Sequence, residues 1–138
     1  MRHIVIAVPA YTGTVHLATM RCLLHDALEL VRRGDRFTLM DECSSAMIAD
    51  ARAELVARFL ATDASDLVFI DHDVGWSPGS LLQLLDHPVD VVAGVYPYRR
   101  DPITYPCSYL DKPELWTDGK TGLLEVAGVP AGFLRITR

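Results

Sequence analysis

No stretch of this chain approaches the roughly 20 consecutive apolar residues of a membrane span, and the opening run Met1 to Pro9 is too short for a signal-peptide core. A cytoplasmic location without a membrane span is the expectation. Cysteine is scarce: Cys22, Cys43 and Cys107 are an odd set at wide spacing, which argues against a disulfide framework and for reduced thiols. Cys22 and His25 share a helical face, yet no second pair at metal-ligand spacing accompanies them, so zinc is not expected. Positive charge is also in short supply. A formal net charge of -5 excludes general affinity for nucleic acid or anionic membrane and leaves room only for a local phosphate site. The chain lacks a Gly-x-x-x-x-Gly-Lys loop, a Gly-x-Gly-x-x-Gly turn after its first apolar run, and a Gly-x-Ser-x-Gly elbow. Kinase-like, Rossmann and serine-hydrolase chemistries therefore lose support. Repeats, low-complexity tracts and linkers are missing too.

What is present is 138 residues, half of them apolar and 22% charged, enough for one domain over residues 1–138 with one substantial core. The run Ile4-Val5-Ile6-Ala7-Val8, stopped by Pro9, reads as a strand covered on both faces. After Thr14, a candidate N-cap, Leu17, Met20, Leu24, Ala27, Leu28 and Val31 recur at helical spacing up to Arg32-Arg33-Gly34, which predicts a helix laying that face on the sheet. Phe37 to Met40 reads as a second strand, and Ser44 or Ser45 as the cap of a helix reaching about Thr62. Leu67-Val68-Phe69-Ile70 reads as a third strand, Ser80 to Leu85 as a short helix, and Val89 to Val95 as a fourth strand. Gly122 to Val126 and Gly132 to Ile136 suggest two late strands. Alternation of strand and helix predicts an α/β fold, a three-layer α/β/α sandwich with a mainly parallel sheet.

The chemically informative element is Asp71-His72-Asp73, delivered to the C-terminal end of a buried strand, where open α/β sheets place their ligands. In an extended chain, residues i and i+2 project to one side, so Asp71 and Asp73 would share a cation while His72 points away. Two hard oxygen donors suit Mn²⁺ or Mg²⁺, and a cation with open positions can bridge diphosphate oxygens. In isolation Asp-x-Asp is as well explained by a cap or a solvated turn; its placement after an apolar strand shifts the balance. Phosphotransferases with an aspartyl nucleophile also carry paired aspartates at a strand end, but after the first strand, whereas here the pair follows the third.

In their order, these segments resemble the nucleotide-binding half of family 2-like glycosyltransferases, which share the GT-A fold. Val8-Pro9-Ala10-Tyr11 is similar to the family's first loop beside the nucleotide, and Asp41 to the acidic residue that contacts the base. Ala49-Asp50-Ala51-Arg52-Ala53 resembles the helix bearing an Ala-Arg-Asn signature, with Ala53 in place of the Asn. Leu67 to Asp73, followed by Trp76-Ser77-Pro78, resembles the metal-binding strand and the turn after it. Val92 to Arg99 and Ala131 to Ile136 resemble two later stretches, so the likeness spans nearly the whole chain. The resemblance implies a nucleotide diphosphate sugar donor, a Mn²⁺ or Mg²⁺ ion on Asp71 and Asp73, nucleotide contacts from Pro9, Tyr11, Asp41, Arg52 and Arg99, and transfer of the sugar to an unknown acceptor. In such enzymes acceptor-binding segments with a catalytic base follow the Gly-Phe strand; here the sequence stops at Arg138, which implies either a shortened transferase or a substitute acid such as Asp101 or Asp118.

Each of these side chains also has a plainer reading. Arg52 serves equally as a solvated helix residue, Arg99-Arg100 as part of a Pro-anchored loop, and Trp76 as a packing residue. His3, His16 and His87 lack a partnering pattern. The alternative function is a non-catalytic nucleotide-sugar or metal-nucleotide binding module that lacks the acceptor half, and a homo-oligomer covering a sheet edge is a further expectation.

Overall fold

The computed structural model describes residues 1–98, 100–112 and 114–138. Five strands and three helices follow the order β1 (His3–Pro9), α1 (Leu17–Arg32), β2 (Arg36–Glu42), α2 (Ile48–Leu60), β3 (Asp66–Ile70), α3 (Ser80–Asp86), β4 (Val91–Ala93) and β5 (Phe133–Thr137). The strands form one sheet in the order β2-β1-β3-β5-β4. β1 runs parallel to β2 and β3, as alternation predicts, whereas β5 is antiparallel to both β3 and β4, so the sheet is mixed.

Ile4 to Val8 are buried throughout because both faces of β1 are covered. Ile4, Ile6 and Val8 join Leu30 of α1 and Leu81 and Leu85 of α3 in one core. Val5 and Ala7 face the other way, with Leu55 and Phe59 of α2, Leu67, Phe69 and Leu134. Period-2 alternation thus feeds two cores, and each fully buried aliphatic side chain contributes about 1.5–3 kcal/mol.

α1 covers the sheet with a different face from the one its periodicity suggests. Of the six residues expected to point inward only Ala27 is buried; Leu17, Met20, Leu24, Leu28 and Val31 are exposed, and the inward residues are Thr19, Leu23, Asp26, Ala27 and Leu30. The helix carries two adjacent apolar stripes, and spacing alone does not choose between them. Asp26 is fully buried because it serves as a cap at a distance: its carboxylate accepts from Gly79 N (2.7 Å), Leu81 N (3.1 Å) and Trp76 Nε1 (2.8 Å). The first turn of α3 is therefore capped from α1, satisfying donors its own sequence leaves unpaired.

The expected helix caps are used elsewhere. Thr14 bonds Thr12, so α1 starts at Leu17; Ser44 bonds Glu42 and Ser45 accepts from Met47 N, so α2 starts at Ile48. The expected strand over 122–126 is replaced by a turn with Gly122 at φ +71° and a single bridge from Thr117 to Leu124. β4 is shorter than expected because the Val89 carbonyl is taken by Arg135 Nη1 (2.6 Å). Arg135 also pairs with Asp66 (Nε to Oδ1, 2.8 Å), both side chains being almost fully buried.

Candidate functional site

Register places the site. Val8 lies beside Asp41 and Pro9 beside Glu42, while β3 runs parallel to β1, so the chain leaves β1, β2 and β3 at one end of the sheet. Asp71 continues the ladder, its N–H donating to the Gly132 carbonyl (2.9 Å), and its side chain is a quarter exposed. Val74 N–H closes back on the Asp71 carbonyl (3.2 Å), which makes 71–74 a turn rather than the extended chain expected. Asp71, His72 and Asp73 together line a cleft of about 160 Å³, facing Pro9, Ala10 and Tyr11 from the loop after β1, and Ser45, Ile48 and Ala51 from the start of α2. The His72 ring meets His16 edge-on at 5.9 Å, and its carbonyl accepts from His16 N and Thr19 Oγ1.

Arg52 projects from the second turn of α2 and donates from Nη2 to Asp71 Oδ1 (2.8 Å), with its guanidinium carbon 6.0 Å from the Phe69 ring centre. Its Nε is buried and has no hydrogen-bond partner among the described residues. A buried unpaired donor costs roughly 1–3 kcal/mol, so Arg52 sits with binding capacity unspent. The second Asp71 oxygen faces Gly132. A Cβ at Gly132 would lie 2.6 Å from Asp71 Oδ2 and 2.3 Å from Tyr96 Oη, so glycine is what lets these two groups converge there. Burial, then the Asp71 charge, push the Tyr96 phenol above its ordinary value.

Pro9, Tyr11, Asp71 and Asp73 are thus brought to one cleft, with Arg52 bound to Asp71. Asp41 is at the same end of the sheet but outside the cleft lining; its carboxylate accepts from Cys43 Sγ (3.4 Å) and its carbonyl from Arg58 (2.7 Å). Arg99 lies outside the described residues. Ser45, Gly132 and Tyr96 are not among the site residues expected from the sequence, although the last two lie within the late stretches, Val92 to Arg99 and Ala131 to Ile136, that carry the family resemblance. On the other side of Tyr96 a larger cavity of about 400 Å³ is lined by Trp76, Ser77, Gln83, His87 and Phe133 among others. Trp76 is held there by Asp26 and stacks on Phe133 at 5.0 Å.

Among the described residues no group of three or more His, Cys, Asp or Glu side chains is placed to hold a metal ion by itself. The donor set at the cleft is two carboxylates, hard oxygen ligands of the kind that hold Mg²⁺ or Mn²⁺ jointly with substrate phosphates and water. Asp118, one of the acids considered as a base, instead closes a turn: Oδ1 accepts from Lys120 N, Thr121 N and Thr121 Oγ1, and these bonds hold its carboxyl below the usual range. No protein-family model, curated protein or solved structure matches this chain. No helix of the described residues is long and apolar enough to cross a membrane.

Proposed function

We propose that the cleft binds a nucleotide diphosphate sugar, with Asp71 and Asp73 sharing a Mn²⁺ or Mg²⁺ ion with the diphosphate, in the manner of a GT-A glycosyltransferase of the family 2-like kind. The observation that carries this reading is the convergence on one cleft of three separate stretches, Pro9 to Tyr11, Ser45 to Ala51 and Asp71 to Asp73, at the C-terminal ends of parallel strands. Two carboxylates repel a diphosphate, so nucleotide binding here requires a cation between them. When bound, that cation supplies charge neutralisation to a departing diphosphate. Arg52 holds Asp71 in place; Pro9 and Tyr11 wall the cleft on the side where a base would lie. The cavity beyond Tyr96, with Trp76 and Phe133 as aromatic surface, gives room for an acceptor.

A second reading, donor binding without efficient transfer, is favoured by Asp118. A general base must reach the acceptor hydroxyl within hydrogen-bond distance, and this carboxylate is committed to a turn. Calorimetric titration with UDP and GDP, each with and without Mn²⁺, tests the site. Metal-dependent binding that disappears in the Asp71→Ala, Asp73→Ala double variant is the expected result; folded wild type that binds neither nucleotide with metal present refutes it. Release of sugar from a labelled donor then separates transferase from binding module.

A further inference from the structure

The outward stripe of α1 has no partner within the described residues, and its position says what fits it. Thr19, Cys22, Asp26 and Arg33 bond to the segment after β3 and to α3. At about 100° per residue, Leu17, Met20, Leu24, Leu28 and Val31 lie roughly half a turn round from that set. They therefore face away from α3, over the β2 side of the sheet. Each is between 44% and 60% exposed. Leu39 of β2 belongs to the same patch: it is beside Ile6 in register, Ile4 and Ile6 point into the core under α1, and Leu39 shares that face at 51% exposure. β2 is also an edge strand, paired only with β1.

We propose that this face is the two-fold interface of a homodimer, a second copy of the same chain being the occupant. The stripe is self-complementary about Leu24. An antiparallel pairing of two α1 helices that sets Leu24 against its own copy also sets Leu17 against Val31 and Met20 against Leu28, on both sides of the axis, and no ionisable side chain interrupts the stripe. Isologous contact needs such a palindromic surface, and an arbitrary partner does not. Area decides how much more must join. The stripe from residue 17 to 31 is about 21 Å long and about 10 Å wide, roughly 200 Å² in projection, against about 800 Å² per partner in a standard interface. The helices alone are too small. The same two-fold axis, standing normal to the sheet, brings the two β2 edges together antiparallel beneath them, supplying Leu39 and the outward backbone groups of Phe37 and Leu39, the Asp41 carbonyl being taken by Arg58. The dimer is thus a ten-stranded continuous sheet with the α1 pair lying across the seam. It owes nothing to the nucleotide reading and stands if that reading fails.

Sedimentation velocity from about 1 to about 100 µM tests it, since a dimer obeys mass action. Wild type should sediment as a dimer at the upper end. Leu24→Arg, which sets like charges on the axis, should raise the dissociation constant by roughly 30-fold or more while leaving the far-ultraviolet dichroism unchanged, because Leu24 is not a core residue. In a Cys43→Ser background, Leu24→Cys should give a covalent dimer on mild oxidation and Leu17→Cys should not, since only position 24 meets itself. A chain that stays monomeric over the whole range overturns the proposal, also if it then pellets with anionic vesicles and so assigns the face to a membrane. A dimer indifferent to Leu24→Arg, or equal crosslinking at 17 and 24, overturns it as well.

Discussion

At Gly132 one hydrogen atom in place of a methyl group decides whether Asp71 and Tyr96 can converge. A Cβ there would meet Tyr96 Oη at 2.3 Å and Asp71 Oδ2 at 2.6 Å, closer than real contacts allow. Gly132→Ala is therefore expected to push the Asp71 carboxylate off its present line and weaken metal-dependent nucleotide binding about tenfold, with about 1–3 kcal/mol of lost stability from overpacking. Calorimetry and a thermal melt on the same sample separate the two effects. The place of Asp71 and Asp73 at the end of a buried strand was legible in the sequence because an apolar run precedes them. Gly132 was not, since a glycine's role lies in what surrounds it, and those neighbours come from residues 71 and 96. Asp26 was illegible for the same reason: within α1 it looks like one more polar helix residue, and the donors it caps lie fifty or more residues away.

Among elements, β1 and β3 could be read because a strand buried on both faces must be apolar throughout, and Ile4 to Val8 and Leu67 to Ile70 are. α1 shows the converse. Leu23, Ala27 and Leu30 define one apolar stripe and Leu17, Leu24 and Val31 another, so its existence was legible and its inward face was not. The difference is measurable. Leu30→Ala, at a fully buried site, is expected to cost about 2–5 kcal/mol, whereas Leu28→Ala should stay within about 0.5 kcal/mol for the monomer. Urea unfolding of both variants at concentrations low enough to exclude association makes the comparison. Equal losses would mean that α1 is rotated from the position described. The segment over 122–126 failed as a strand because Gly122 turns the chain at positive φ, and apolar runs of that length do not reveal whether a neighbouring strand exists.

For the whole molecule, the α/β class and a mainly parallel sheet were legible from alternation, and the one antiparallel strand was not, because strand order is set by where β5 inserts. What fixes β5 is its pairing on both sides and one buried ion pair. Arg135 donates to Asp66 on β3 and to the His87 and Val89 carbonyls on the link from α3 to β4, so a single side chain ties three parts of the fold together. Arg135→Met should cost about 3–5 kcal/mol by leaving Asp66 buried and unpaired, and adding Asp66→Leu should recover most of that loss. A double-mutant cycle by chemical denaturation gives the coupling; additive losses would show that the pair does not act as a unit.

Because β5 is formed by residues 133 to 137 yet stands between β3 and β4, the order of synthesis does not match the order of the sheet. β1, α1, β2, α2 and β3 leave the ribosome with their parallel pairings available. β4 emerges with nothing to pair with until some forty residues later, and Asp66 waits longer still for Arg135, 69 residues on. A nascent chain stalled near residue 125 therefore holds a three-stranded sheet with an open β3 edge and a buried-side carboxylate still in water, a species that protease or a holding chaperone should recognise and that vanishes once residue 137 is free of the exit tunnel.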